Sequence, residues 1–244
     1  LYSKIDGEII STDPKTAESI KLINNSFHAL KVSFANEIGR LCGAMKIDSH
    51  RLMELFVKDR KLNVSPYYFK PGFAYGGSCL SKDLKSLNTI ISQYNISAPV
   101  LNNIENSNNI HIKHIASSIL DKKKSNIGIY GLAFKSGTDD LRSSACIELT
   151  KILIREKVNL KIFDSYINKT KLLKIKDRRH ISNKEIFNCL VPDLSEFLRD
   201  LEVLVLVNKD NNMNRVTELI DKSIIIIDYT NSEFFSDFKD YHSI

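Results

Sequence analysis

Apolar residues recur along the first part of the chain at helical spacing. Ile20, Phe27, Phe34 and Leu41 fall seven apart, with Ile23, Leu30 and Ile38 between them. An α-helix turns once in about 3.6 residues, so these positions share one stripe. The pattern predicts one long helix over residues 14–44. Thr12-Asp13-Pro14 marks its start, with a side chain able to cap free amides and a proline in the first turn. A second helix is expected after Asp48, carrying Leu52, Leu55 and Phe56. Residues 60–78 lose the period and gather Pro66, Pro71, Gly72, Gly76 and Gly77, which predicts a loop. The period returns with Leu80, Leu84, Leu87 and Ile91, and after Ala98-Pro99 with Ile104, Ile115 and Ile119. Residues 1–121 therefore read as entirely helical.

The pattern then changes. Asn126 to Gly131, Leu160 to Phe163, Val203 to Val207 and Ile224 to Ile227 are short β-rich runs. Helical segments separate them, around Ile147 to Ile154 and Met213 to Ile220. Strands alternating with helices predict an α/β fold with a doubly wound parallel sheet. The boundary is expected near Lys122 to Ser125, giving a helical domain over 1–122 and a sheet domain over 123–244. Gly128 and Gly131 do not make the G-x-G-x-x-G fingerprint of a dinucleotide site, and that fingerprint follows no strand in this sequence.

Composition narrows the class. Of 244 residues, 43% are hydrophobic, enough for a sizeable core. No apolar run approaches the ~20 residues of a membrane span, and no signal peptide is evident. Cys42, Cys79, Cys146 and Cys189 form no C-x-x-C pair, so neither a zinc site nor a redox pair is indicated, and a reducing cytoplasm fits. The net charge of +6 is spread among acids, so Lys122-Lys123-Lys124 reads as a solvated loop rather than a nucleic-acid patch. A mild positive balance also suits a pyrophosphate-bearing substrate. The chain begins at Leu1 in what reads as the interior of a longer protein.

The chemistry concentrates at Pro71-Gly-Phe-Ala-Tyr-Gly-Gly-Ser-Cys-Leu-Ser-Lys-Asp83. Cys79 follows a glycine-rich bend and opens a helical segment, where free amides and the helix dipole favour a thiolate. The glycines let backbone approach a bulky ligand closely. Asp83 lies one turn on, over the same face. A nucleophile with a carboxylate a turn away is a catalytic arrangement; the bland alternative is a buried cysteine after a turn. Lys21, Asn25 and His28 share one stripe of the long helix and face either a pocket or solvent. His111 and His114, three apart, read as a surface pair rather than a metal site. Asp139-Asp140 reads as a turn or cap. Cys42, Cys146 and Cys189 read as core.

The stretch around Cys79 resembles the active-site signature of the UDP-glucose/GDP-mannose dehydrogenase family, the nucleotide-sugar 6-dehydrogenases. The resemblance covers the chain almost end to end. It implies a helical central domain that joins subunits, followed by a Rossmann-like domain that helps hold the nucleotide sugar. It also implies that the family's NAD-binding first domain lies outside this sequence, so that this chain alone yields no NADH. By the same resemblance Cys79 forms a thiohemiacetal with the sugar C6 aldehyde, Asp83 positions or activates water, and Lys21 and Asn25 stabilise oxyanion charge. Asn25 to Glu37 looks like the GDP-mannose branch, where His28 and Asn36 also touch substrate. There the loop with Tyr67, Tyr68, Lys70, Phe73 and Gly76 contacts the nucleotide sugar, partly from a neighbouring subunit. Lys135 is implied to bind substrate, and Lys82 and Arg142 to reach the NAD cofactor.

The sequence departs from the family at three of these positions. Lys70 replaces a usual arginine, keeping charge but losing two-pronged geometry. Ser81 replaces a usual proline and Ser143 a usual glutamate. Two alternatives remain open at this level, a UDP-glucose substrate and an inactive nucleotide-sugar-binding and dimerisation module. A homodimer through the long helix is expected, with no nucleic-acid or membrane partner.

Overall fold

Asp13 begins the first helix, its carboxylate accepting from the Thr16 N–H at 3.0 Å, and α1 runs Pro14–Met45. The computed structural model describes Gly7 and residues 9–60, 70–93, 99–167 and 183–243. Asp48 caps α2 (Ser49–Phe56) through the Arg51 N–H, and α3 spans Ser78–Gln93 and α4 Pro99–Leu120. Ala29, Tyr75, Leu84 and Ile104 form a small core where α1, α3 and α4 meet.

After α4 the chain enters a sheet. The elements are β1 (Asn126–Tyr130), α5 (Ala145–Arg155), β2 (Asn159–Phe163), α6 (Asn183–Cys189), α7 (Leu194–Leu198), β3 (Val203–Leu206), α8 (Met213–Leu219), β4 (Ile225–Asp228) and β5 (Tyr241–Ser243). The strand order is β2-β1-β3-β4-β5 and every pairing is parallel. β3 is buried at all four positions, which is why it reads as an unbroken apolar run rather than an alternation. The fold is the expected helical region followed by a doubly wound parallel sheet. Three elements lacked an audible signal: α6, the five-residue α7, and β5, whose Tyr-His-Ser has no apolar run.

The chain leaves β1 for one edge and returns to β3 on its other side. The connections that leave the carboxyl ends of β1 and β3 therefore diverge and open a crevice there. The two regions pack together through α4 against α5, and through the Phe73 ring edge-on to Tyr229 at 5.5 Å.

On α1, Ile20, Ile23 and Phe27 are 51%, 54% and 42% exposed, and Phe34, whose ring meets that of Phe56 at 5.9 Å, is 39% exposed. Among the described residues, nothing buries that part of the heptad stripe.

Candidate active site

Cys79 is the second residue of α3 and is exposed. One turn on, Asp83 is 1% exposed and faces α1. Three side chains converge on its carboxylate. Asn25 donates through Nδ2, Lys21 Nζ stands 3.6 Å from Oδ2, and Lys82 Nζ stands 3.5 Å from Oδ1. Burial alone would push the Asp83 carboxyl up. The Asn25 hydrogen bond and the two ammonium groups outweigh it and hold the carboxyl below its ordinary value. The cluster thus carries one anion against two cations beside a thiol. Lys21 and Asn25 lie about one turn apart on α1, and the packing of α1 against α3 brings both to Asp83.

His28 is half-buried one turn further along α1, its imidazole held below its ordinary value by burial and by Lys31. Asn36 is 2% exposed, and its amide serves the loop: Oδ1 accepts from the Gly72 N–H at 3.1 Å and Nδ2 donates to Phe73 O at 3.5 Å. Phe73 is half-buried and Lys70 exposed. Tyr67 and Tyr68 lie outside the described residues.

The glycines of the bend differ from the sequence expectation. The space beside them is filled by the second domain of the same chain. A Cβ on Gly76 would meet Ser143 O at 2.9 Å and Ala145 N at 3.0 Å, and one on Gly77 would meet the Phe134 ring at 2.7 Å. Gly77 also has φ +89°, a left-handed conformation that side chains resist. Its N–H donates to Ser143 O at 3.0 Å, and Ser143 itself adopts φ +52°. Close passage of two loops explains the glycines, and Ser143 contributes its carbonyl rather than its side chain to that contact.

That second loop carries the remaining candidates. Arg142 pairs with Asp140 at 2.7 Å, and its guanidinium is within electrostatic reach of the Cys79 thiol. Asp140 also accepts from the Arg142 N–H, the turn role expected of it. Lys135 is exposed, its ammonium 5.4 Å over the Phe134 ring, and lines the crevice between β1 and β3 with Tyr130, Asp164, Tyr166, Asn208 and Asp210. The Tyr130 hydroxyl donates to Asp210 at 2.6 Å.

The turn after β1 does not fit a dinucleotide. The Leu132 and Ala133 N–H groups, which a pyrophosphate would need, both donate to buried Asp164, at 2.8 and 3.1 Å. A Cβ on Gly131 would lie 2.6 Å from Asn208. Lys82 on α3 and Arg142 on the second loop are exposed cations near Cys79, each paired with a carboxylate, Asp83 and Asp140.

The expected surface pair on α4 needs correction. His114 is exposed, but His111 is 2% exposed. Its Nδ1 meets the Arg40 guanidinium at 2.7 Å and its Nε2 meets Gly72 O at 2.9 Å. Burial, opposed by the Gly72 hydrogen bond and reinforced by Arg40, brings its pKa down to about 4. Residues three apart diverge by roughly 60° around a helix, and only His111 falls beside the buried stripe. The sequence reading also missed Asn108, whose amide pairs reciprocally with the Tyr75 main chain at 3.0 Å in both directions. The available signal was a polar residue at helical spacing from Ile104, Ile112 and Ile115. Cys42 and Cys146 are buried as expected, and Cys189 is half-buried. Among the described residues no cluster of metal-binding side chains is present, and no helix is long and apolar enough to cross a membrane.

The structure thus joins a helical domain presenting a thiol and a buried carboxylate to a doubly wound domain with a crevice at its strand ends. Residues 15–110 match the central domain of the UDP-glucose/GDP-mannose dehydrogenase family, and residues 128–232 match its UDP binding domain. The chain belongs to that family of nucleotide-sugar dehydrogenases. It is 34% identical over 236 residues to GDP-mannose 6-dehydrogenase of Pseudomonas savastanoi pv. phaseolicola, covering 93% of this chain and 52% of that protein. It is 38% identical over 218 residues to the enzyme of the same name from Pseudomonas aeruginosa, covering 86% of this chain and 48% of that protein. The chain thus spans about half the length of the curated relatives it matches. Among solved structures, it superposes on the ternary complex of Pseudomonas aeruginosa GDP-mannose dehydrogenase with a TM-score of 0.62 at 34% identity, covering 99% of this chain and 56% of that one. A UDP-glucose dehydrogenase from Pyrobaculum islandicum shares the fold, with a TM-score of 0.82 at 23% identity over 99% of this chain and 54% of that one.

Proposed function

We propose that this chain forms the central (1–122) and nucleotide-sugar-binding (123–244) domains of an NAD-dependent GDP-mannose 6-dehydrogenase, which oxidises the sugar C6 alcohol to a carboxylate. The convergence of Asn25, Lys21 and Lys82 on buried Asp83, one turn from exposed Cys79, carries this reading. The likeness to GDP-mannose 6-dehydrogenases at 34–38% identity favours GDP-mannose over UDP-glucose.

Lys135 and the crevice between β1 and β3 take the nucleotide end, and the sugar reaches toward Cys79. NAD would supply the hydride acceptor, a fresh molecule for each of the two oxidations, and Lys82 and Arg142 would help hold it. After the first oxidation the Cys79 sulfur adds to the C6 aldehyde, giving a thiohemiacetal; the second gives a thioester. Lys21 and Asn25 stabilise charge on the C6 oxygen. Asp83 remains ionised near neutrality, so its part is to orient those donors and to accept a hydrogen bond from the hydrolytic water. Water cleaves the C–S bond, releasing the uronate and restoring the thiol. The exposed Ile20, Ile23 and Phe27 stripe joins two copies of the chain.

The test is the Cys79→Ser variant of the enzyme with its cofactor domain. GDP-mannuronate formation should disappear while GDP-mannose binding persists. Near-normal turnover would refute the nucleophile, and faster turnover of UDP-glucose would reassign the substrate.

A further inference from the structure

The proposed chemistry leaves Asn108 and His111 without a task, yet both are buried polar residues on α4 and both grip the Cys79 loop. Asn108 exchanges two hydrogen bonds with Tyr75, accepting from its N–H and donating to its C=O, each at 3.0 Å. This is the geometry of a strand ladder made by a side chain, and it fixes the peptide planes on either side of Tyr75. His111 has a determined tautomer. Gly72 O can only accept, so Nε2 carries the proton; the Arg40 guanidinium can only donate, so Nδ1 presents its lone pair. Asn36 takes the Gly72 N–H from the other side. The far end of the loop is pinned by the Gly77 N–H on Ser143 O. Between these anchors the chain has only Gly76 before Gly77, and Cys79 follows two residues later in the first turn of α3.

We propose that Asn108 and His111 are positioning residues for Cys79: by holding the main chain of Tyr75 and Gly72 they set where α3 begins, and so where the thiol stands over Asp83. The assignment rests on the reading that Cys79 is the reacting thiol. Neither residue touches the reacting atoms. Loss of either frees one end of a loop whose other end stays fixed, so the effect is local to residues 72–80.

Amide hydrogen exchange of this chain, resolved by residue, tests the assignment without substrate or cofactor. In His111→Ala and Asn108→Ala, exchange over residues 72–80 should rise at least about tenfold while β1 and β3 stay unchanged. His111→Gln keeps a donor for Gly72 O and should restore protection to within about threefold of the parent. Iodoacetamide labelling of Cys79, read by peptide mass, should change rate in the alanine variants and recover in His111→Gln. At pH 7 the His111 nitrogen shifts should report the Nε2–H tautomer. Should an alanine variant fail to fold, Asn108→Asp, which keeps the acceptor but not the donor, should loosen the same residues. Unchanged exchange over 72–80, an equal rise in the strands, unaltered Cys79 labelling, or an Nδ1–H tautomer would each overturn the assignment. These readouts are independent of whether Cys79 is a nucleophile, which the Cys79→Ser turnover experiment decides separately.

Discussion

Replacing Gly76 by alanine should destabilise the protein although it adds one methyl group. The new Cβ would lie 2.9 Å from Ser143 O, 3.0 Å from Ala145 N and 3.3 Å from Ser144 Cα, all main-chain atoms. None can swing away as a side-chain tip would. Ser143 O is held by Gly77, and Ser144 caps α5 through the Cys146 N–H, so relief requires shifting one domain against the other. Overpacking of this kind costs about 1–3 kcal/mol. Gly77→Ala meets the Phe134 ring at 2.7 Å and must also hold φ +89°, a left-handed backbone that adds roughly 1–2 kcal/mol. Gly43, near the end of α1, has nothing within 4 Å of its Cβ position, so alanine there should stabilise by roughly 0.5–1 kcal/mol. For a chain of this size 1 kcal/mol moves the melting midpoint by about 2–4 °C. Thermal melts followed by circular dichroism should therefore order the proteins Gly43→Ala, parent, Gly76→Ala, Gly77→Ala from most to least stable. If the glycines of the bend served only to admit a ligand, Gly76→Ala would melt with the parent, and that result would refute the domain-wedge account.

Two further outcomes follow from the same structure. His111 is held neutral with its pKa down from 6.5 to about 4, so the unfolded chain takes up a proton that the folded chain refuses as pH falls between those values. The stability it contributes is complete above its ordinary pKa and should be lower by about 2 kcal/mol at pH 5. His111→Gln should flatten that part of the pH dependence in urea denaturation, and parallel curves for the two proteins would count against a neutral buried imidazole. Separately, Ile23→Glu and Phe27→Glu place charge on the uncovered α1 stripe, where both parent side chains are more than two-fifths exposed, and should convert a homodimer to monomer in sedimentation. A parent chain that sediments only as monomer at micromolar concentration would exclude that interface.

The sequence by itself determined most of the elements and singled out Cys79 as the candidate thiol. A stripe at seven-residue spacing opened by Asp13-Pro14 specifies α1 because capping and amphipathic period are local properties, and the same holds for the glycine bend that ends at Cys79. The apolar runs of β1 to β4 likewise announce a buried parallel sheet. Lys21 and Asn25 were candidates on one helix and Asp83 on another, and only the packing of α1 against α3 brought the two donors onto one carboxylate and held it ionised. His111 shows the limit most clearly. Spacing could not distinguish it from His114, because burial depends on which way α4 faces its neighbours. The glycines, legible as a close approach, gave no hint of what approached them. Ser143 and Ala145 stand nearly seventy residues away in sequence, and contacts at that separation are fixed by how the two domains meet, not by any pattern within either.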